Sequence, residues 1–104
     1  MSRVKLKVMC DYHAYPIWDD EFPTGDMDPA SLPLSPDLVA ELMQWSDYFD
    51  SKLNWDDPRE HYWTEADSNA FDIRGRILTA RVAVELGEGY AVRYWREPLV
   101  YACS

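Results

Sequence analysis

Alternating apolar and polar residues open the chain and predict a β-strand. In RVKLKVM, Val4, Leu6 and Val8 alternate with basic residues, which is the period of a strand with one buried face. Residues 90–95, YAVRYW, alternate in the same way, and LVYAC at residues 99–103 follows a turn. We therefore predict one strand at the start of the chain and two near its end.

Helical spacing of apolar residues predicts a first helix after residue 35. Ser35 is a good N-cap, and Pro36 stands where a missing backbone N–H costs nothing. Asn54 and Pro58 bound the segment on its C-terminal side. The residues at helical spacing within it are Leu38, Leu42, Trp45 and Phe49.

A second helix is predicted from Thr64 onwards. Thr64 and Asp67 have the spacing of a weak capping box. Gly87 is well placed to end the helix in a left-handed turn. Gly75 lies in mid-helix, where it weakens helix propensity but permits close approach to the first helix. The apolar stripe of this helix comprises Phe71, Leu78, Val82 and Leu86.

Residues 12–34 show no period and contain four prolines and a glycine. Such a long irregular segment in a small domain is often functional, so we expect it to be the binding element. The order strand, long loop, helix, helix, strand, strand predicts a single α+β domain over residues 1–104. In it, two antiparallel helices pack on one face of a two- or three-stranded sheet.

Acidic residues dominate the charge of the chain. Ten Lys and Arg stand against nineteen Asp and Glu, which gives a net charge of −9 and a pI near 4.4. Such a field repels nucleic-acid phosphates and anionic membranes, whereas it attracts a cationic partner. The alternative is that this charge only keeps the protein soluble.

Signals for export or membrane insertion are lacking. The first ten residues contain no apolar run typical of a signal peptide, and no run approaches membrane-spanning length. We therefore predict a cytoplasmic protein, in which Cys10 and Cys103 are reduced thiols.

Two Trp-Asp-Asp strings raise the question of a site: Trp18, Asp19 and Asp20 in PIWDDE, and Trp55, Asp56 and Asp57 in LNWDDP. Metal binding is one interpretation, but adjacent aspartates point in different directions and no calcium-loop spacing is present. We therefore predict no metal and no cofactor.

Catalysis is a second interpretation. His13 and His61 lie beside acids and tyrosines and could act as acid or base. No serine or cysteine carries a nucleophile signature, and no glycine-rich phosphate loop is present. We predict that the protein is not an enzyme.

The third interpretation is an acidic and aromatic surface that binds a basic protein. Trp and Tyr dominate binding hot spots, and neighbouring aspartates would pair with Lys or Arg of the partner. The alternative for Trp18 and Trp55 is that they are core residues. The predicted binding residues are Tyr15, Trp18, Asp19, Asp20, Trp55, Asp56, Asp57 and Trp63.

The strings CDYHAYPIWD, DPASLPLSPDL, LNWDDP and LGEGYAVRYW resemble a group of small acidic bacterial proteins of unknown function. Ile17 stands where that group has Leu, and HYWTEADSNAF has no counterpart there. The resemblance implies one intact domain and transfers no catalytic residue. In size, charge and aromatic content the chain is also similar to bacterial immunity proteins and antitoxins, which implies inhibition of a basic toxin or nuclease.

We therefore predict an acidic protein-binding module, with immunity-like or antitoxin-like inhibition of a basic toxin as its specific role. A small enzyme that uses the loop histidines is one alternative. A homodimer formed by edge-to-edge pairing of strands is another, because a sheet of two or three strands is marginal alone.

Overall fold

The computed structural model describes residues 3–11, 14–21, 25–52 and 63–95. The α+β class is confirmed, since strands and helices of this part form one packed unit. In chain order the elements are β1 (Val4–Val8), β2 (Ile17–Asp19), β3 (Asp26–Met27), a 3₁₀ turn (Pro29–Ser31), α1 (Pro36–Asp50), α2 (Glu65–Leu86) and β4 (Tyr90–Tyr94).

The described strands form one mixed sheet in the order β3-β2-β1-β4. β1 pairs antiparallel with β2 and parallel with β4. The first strand therefore lies inside the sheet, although its exposed lysines are typical of a protected edge. Its predicted alternation is confirmed for Leu6 and Val8, which are buried, and for Lys5, which is exposed, whereas Val4 at the start of the strand is 50% exposed.

The number of strands was underestimated, since the described sheet has four rather than two or three. The extra strands β2 and β3 lie in the segment 12–34 that the sequence predicts to be irregular. They have only three and two residues, too few to show a period. Their pairing with distant neighbours defines them. The predicted last strand at 99–103 lies outside the described residues.

Both predicted helix starts are confirmed. The Ser35 hydroxyl accepts a hydrogen bond from the Leu38 N–H at 3.3 Å and caps α1. Thr64 and Asp67 form a complete capping box at the start of α2. Gly87 ends α2 with a φ of 79°, a value that favours glycine.

The two helices are antiparallel, as predicted. The Glu85 carboxylate near the end of α2 accepts hydrogen bonds from the backbone N–H and hydroxyl of Ser35, before the start of α1. At the other end, Lys52 pairs with Asp67 at 3.1 Å. Both helices cover the same face of the sheet, and the buried core comprises Leu6, Val8, Cys10, Ile17, Leu38, Leu42, Trp45, Phe49, Trp63, Phe71, Leu78 and Val82.

Candidate partner-binding surface

Trp18 lies on the sheet face opposite the helices. Successive residues of a strand point to opposite faces, and its neighbour Ile17 is fully buried beneath the helices. The Trp18 indole N–H donates to the Met9 carbonyl at 3.1 Å. The ring is half-buried, so Trp18 is held in place and still presents part of its surface.

The surroundings of Trp18 are cationic. The Lys7 ammonium lies 5.9 Å from the centre of the Trp18 ring and 5.7 Å from that of Trp95. These distances are typical of cation–π contacts. This face of the sheet therefore places a lysine beside its indole rings, which the sequence does not indicate.

Asp20 is neutralised within the molecule. Arg93 of β4 donates two hydrogen bonds to its carboxylate, at 2.6 and 2.8 Å. These bonds hold the pKa of Asp20 below its ordinary value, against the opposing effect of burial. Asp19 accepts the N–H of Glu21 at 3.1 Å and points to the face opposite that of Trp18. The string Trp18-Asp19-Asp20 therefore does not form one acidic surface.

Trp63 belongs to the core. It is 3% exposed, and its ring centre lies 5.1 Å from that of Phe71 and 5.9 Å from that of Phe49. Its predicted role in shaping a binding surface would therefore be indirect. Five further residues lie outside the described ranges: Trp55, Asp56 and Asp57 of the predicted binding site, and His13 and His61 of the enzyme alternative.

Tyr15 is the predicted site residue that lies beside an acidic cavity. The cavity, called the Tyr15 cleft below, has a volume of about 270 Å³ and lies between α1 and the segment before β2. Tyr15 is 40% exposed at its rim. The lining residues are Ala14, Tyr15, Met43, Ser46, Asp47 and Asp50.

Three contacts hold the Tyr15 segment against the rest of the fold. The Tyr15 N–H donates to the Asp26 carboxylate at 2.8 Å. The Ser46 hydroxyl of α1 donates to the Ala14 carbonyl at 3.3 Å. The carbonyl of Pro16 accepts the Met9 N–H at 3.0 Å. The backbone that carries the Tyr15 ring is thus hydrogen-bonded to α1, to β3 and to the residue that follows β1.

The charge around the Tyr15 cleft is negative. Asp47 and Asp50 are three residues apart on α1, which places them on one side of the helix, and Asp26 lies behind Tyr15. None of the described residues that line the cleft is cationic. A phenol beside carboxylates can bind a lysine or arginine side chain through ion pairs and ring contact.

Sequence reasoning missed Asp47 and Asp50. They belong to the polar face of a predicted helix, and such a face is usually only solvated. The helical spacing of these two acids was a local signal. Their proximity to Tyr15 depends on a tertiary contact of α1 that no local pattern encodes.

Within the described ranges, no three His, Cys, Asp or Glu side chains come together as ligands for a metal ion. Neither helix of that part of the chain combines the length and the apolar character needed to cross a membrane.

Comparison with known proteins adds one finding. No curated protein matches the chain. A family model described as "Serratia CdiI immunity protein-like" matches residues 4–97, a range that begins with β1 and extends past β4.

Proposed function

The chain belongs to the Serratia CdiI immunity protein-like family, and we propose that it binds and inhibits a toxin protein with a basic active surface. An immunity protein acts by occupying its toxin, so the relevant chemistry is recognition rather than turnover. The family match supports an inhibitor, and the Tyr15 cleft supports a cationic target.

The exposed ring of Tyr15, fixed beside Asp26, Asp47 and Asp50, is the observation that carries the proposal. Because the backbone around Tyr15 is already held by hydrogen bonds to Asp26, Ser46 and Met9, this segment loses little backbone entropy on binding. Tyrosine is also among the residues that contribute most to binding energy at interfaces. We infer that a lysine or arginine of the toxin enters the cleft and pairs with Asp47 and Asp50.

The net charge of −9 acts over a longer range. It raises the rate at which a basic partner finds the protein, and this effect weakens as salt screens the field. Asp56 and Asp57 follow Asp50 by six and seven residues along the chain. They remain predicted to extend the acidic surface, together with Trp55.

The test measures, by calorimetry, the binding of the purified chain to a purified candidate toxin, such as the product of a neighbouring gene. We expect Asp47→Asn with Asp50→Asn to weaken binding by about 2–5 kcal/mol if both acids pair with buried cations of the toxin. Tyr15→Ala should cost at least about 1 kcal/mol, as an interface tyrosine commonly does. The same variants should lose protection in cells that produce the toxin.

The matched control removes two charges elsewhere. Asp37→Asn with Glu88→Gln changes the net charge equally at two exposed positions outside the cleft. It should slow association slightly and leave dissociation unchanged. Equal loss of affinity in both double variants would show that only the overall charge matters, and unchanged affinity in the cleft variant would exclude the cleft as the binding site.

A further inference from the structure

Helix α2 has two apolar faces. One is buried in the core and comprises Ser68, Phe71, Gly75, Leu78, Thr79 and Val82. The other, called the outer stripe below, lies on the opposite side and is exposed: Ala66, Ala70, Ile73, Ile77, Ala80 and Val84. A surface helix normally has one apolar stripe, which faces the core. The second stripe of α2 is therefore a candidate contact surface for another protein.

The outer stripe has the spacing of a helix–helix seam. Its residues follow one another at alternating intervals of four and three, which is the a/d pattern of a two-helix coiled coil. Its larger members are well exposed: Ile73 is 60%, Ile77 is 56% and Val84 is 81% accessible. Exposure of two isoleucines on the same side of one helix is unfavourable in free energy, and a partner helix would remove their apolar area from water.

We propose that the outer stripe binds the same stripe of a second copy, with the two α2 helices antiparallel across a two-fold axis. A two-fold interface requires a surface that is complementary to itself. The stripe meets this condition, because its residues are placed symmetrically about position 75. Ile73 then faces Ile77 of the second copy, Ala66 faces Val84, and Ala70 faces Ala80.

Charge also favours this face for self-association. Two copies with a net charge of −9 repel each other, so contact is favoured at a face where basic residues offset acidic ones. Arg74, Arg76 and Arg81 flank the outer stripe. Two acids of the same molecule pair with these three arginines and leave one positive charge over, since Glu41 pairs with Arg74 and Arg81 and Asp72 pairs with Arg76.

The stripe is roughly 27 Å long at about 1.5 Å per residue. Because α2 is already folded against its own core, association does not have to supply the entropy of forming the helix.

The experiment measures the mass of the purified full chain, without any toxin, by sedimentation equilibrium over a wide concentration range. We expect a species of twice the 12.2 kDa chain mass that dissociates on dilution. Ile77→Glu should weaken self-association by at least about tenfold, since it places charge in the apolar seam. Because Ile77 is exposed, the variant should fold normally, which circular dichroism checks.

Val84→Glu and Val4→Glu form the matched pair, since both replace an exposed valine and only the first lies in the outer stripe. Val84→Glu should weaken the dimer and Val4→Glu should not. A monomer at all concentrations, or equal effects of the two variants, would overturn the proposal. A monomeric chain that loses toxin binding in Ile77→Glu would also overturn the proposal, because the outer stripe would then be the toxin-binding surface. The result is independent of the Tyr15 cleft.

Discussion

Gly75 shows how one missing side chain sets the distance between three elements. A Cβ at this position of α2 would lie 2.5 Å from a Tyr94 ring atom of β4 and 2.6 Å from one of Trp45 of α1. Both rings are packed in or against the core. Glycine is therefore required for close packing at a helical position where its propensity is poor.

We expect Gly75→Ala to destabilise the protein by about 1 kcal/mol. Overpacking in a core costs about 1–3 kcal/mol, and alanine returns about 1 kcal/mol in helix propensity. Thermal unfolding followed by circular dichroism measures the difference. Gly89→Ala is the control, because a Cβ there would touch nothing within 4 Å. A more stable Gly75→Ala variant would show that the rings can move away at little cost.

For single residues, the sequence indicates the chemical type of a side chain better than it indicates which other side chain it contacts. Tyr15 is exposed and Trp18 is half-buried, and their role in binding stays a prediction. The pairing of Asp20 with Arg93 joins positions 73 residues apart, and no local pattern indicates it. Trp63 looks equally suited to a surface or a core, and only the packing of Phe49 and Phe71 around it decides.

Among the elements, the helices were predictable and the short strands were not. A helix carries its own boundary signals, such as the Ser35 cap and the Thr64 capping box, and a long period of apolar residues. β2 and β3 depend on pairing with distant segments, and β2 takes its register from β1. Prolines on both sides of β2 obscure it further in the sequence.

Ser35 links the two helices as well as capping one of them. We expect Ser35→Ala to lower stability by about 1–2 kcal/mol, because it removes the cap of α1 and the hydroxyl that donates to Glu85. Urea denaturation measures this loss. Ser51→Ala makes the same substitution just after the end of α1, where the hydroxyl donates only to the Tyr48 carbonyl. Equal losses in the two variants would argue against a capping role.

For the whole molecule, acidity makes stability dependent on pH. Among the described residues, three carboxyls have pKa values below their ordinary ones: Asp20 through hydrogen bonds from Arg93, Asp67 through one from Lys52, and Glu85 through the backbone and hydroxyl of Ser35. A lowered pKa means that the ionised form stabilises the folded state. That stabilisation is present above the ordinary pKa and is lost as the pH falls through the folded-state value.

We therefore expect the melting temperature to be nearly constant from neutral pH to about 5 and to fall below about 4, where these carboxyls begin to bind protons. Arg93→Gln should make the acid dependence shallower, because the pKa of Asp20 returns towards its ordinary value of 3.8. Arg3→Gln, at an exposed position, is the control. Identical acid profiles for Arg93→Gln and the unmodified protein would contradict the role of this pair.

The parallel pairing of β1 with β4 affects how the protein is made. Val4 lies opposite Tyr90, so the central strand of the sheet cannot gain this neighbour until the ribosome has released nearly all the described chain. Until then Leu6 and Val8 lack the neighbouring strand that contributes to their burial. Contacts between such distant residues also slow folding. The described sheet is therefore completed only after β4 has been translated.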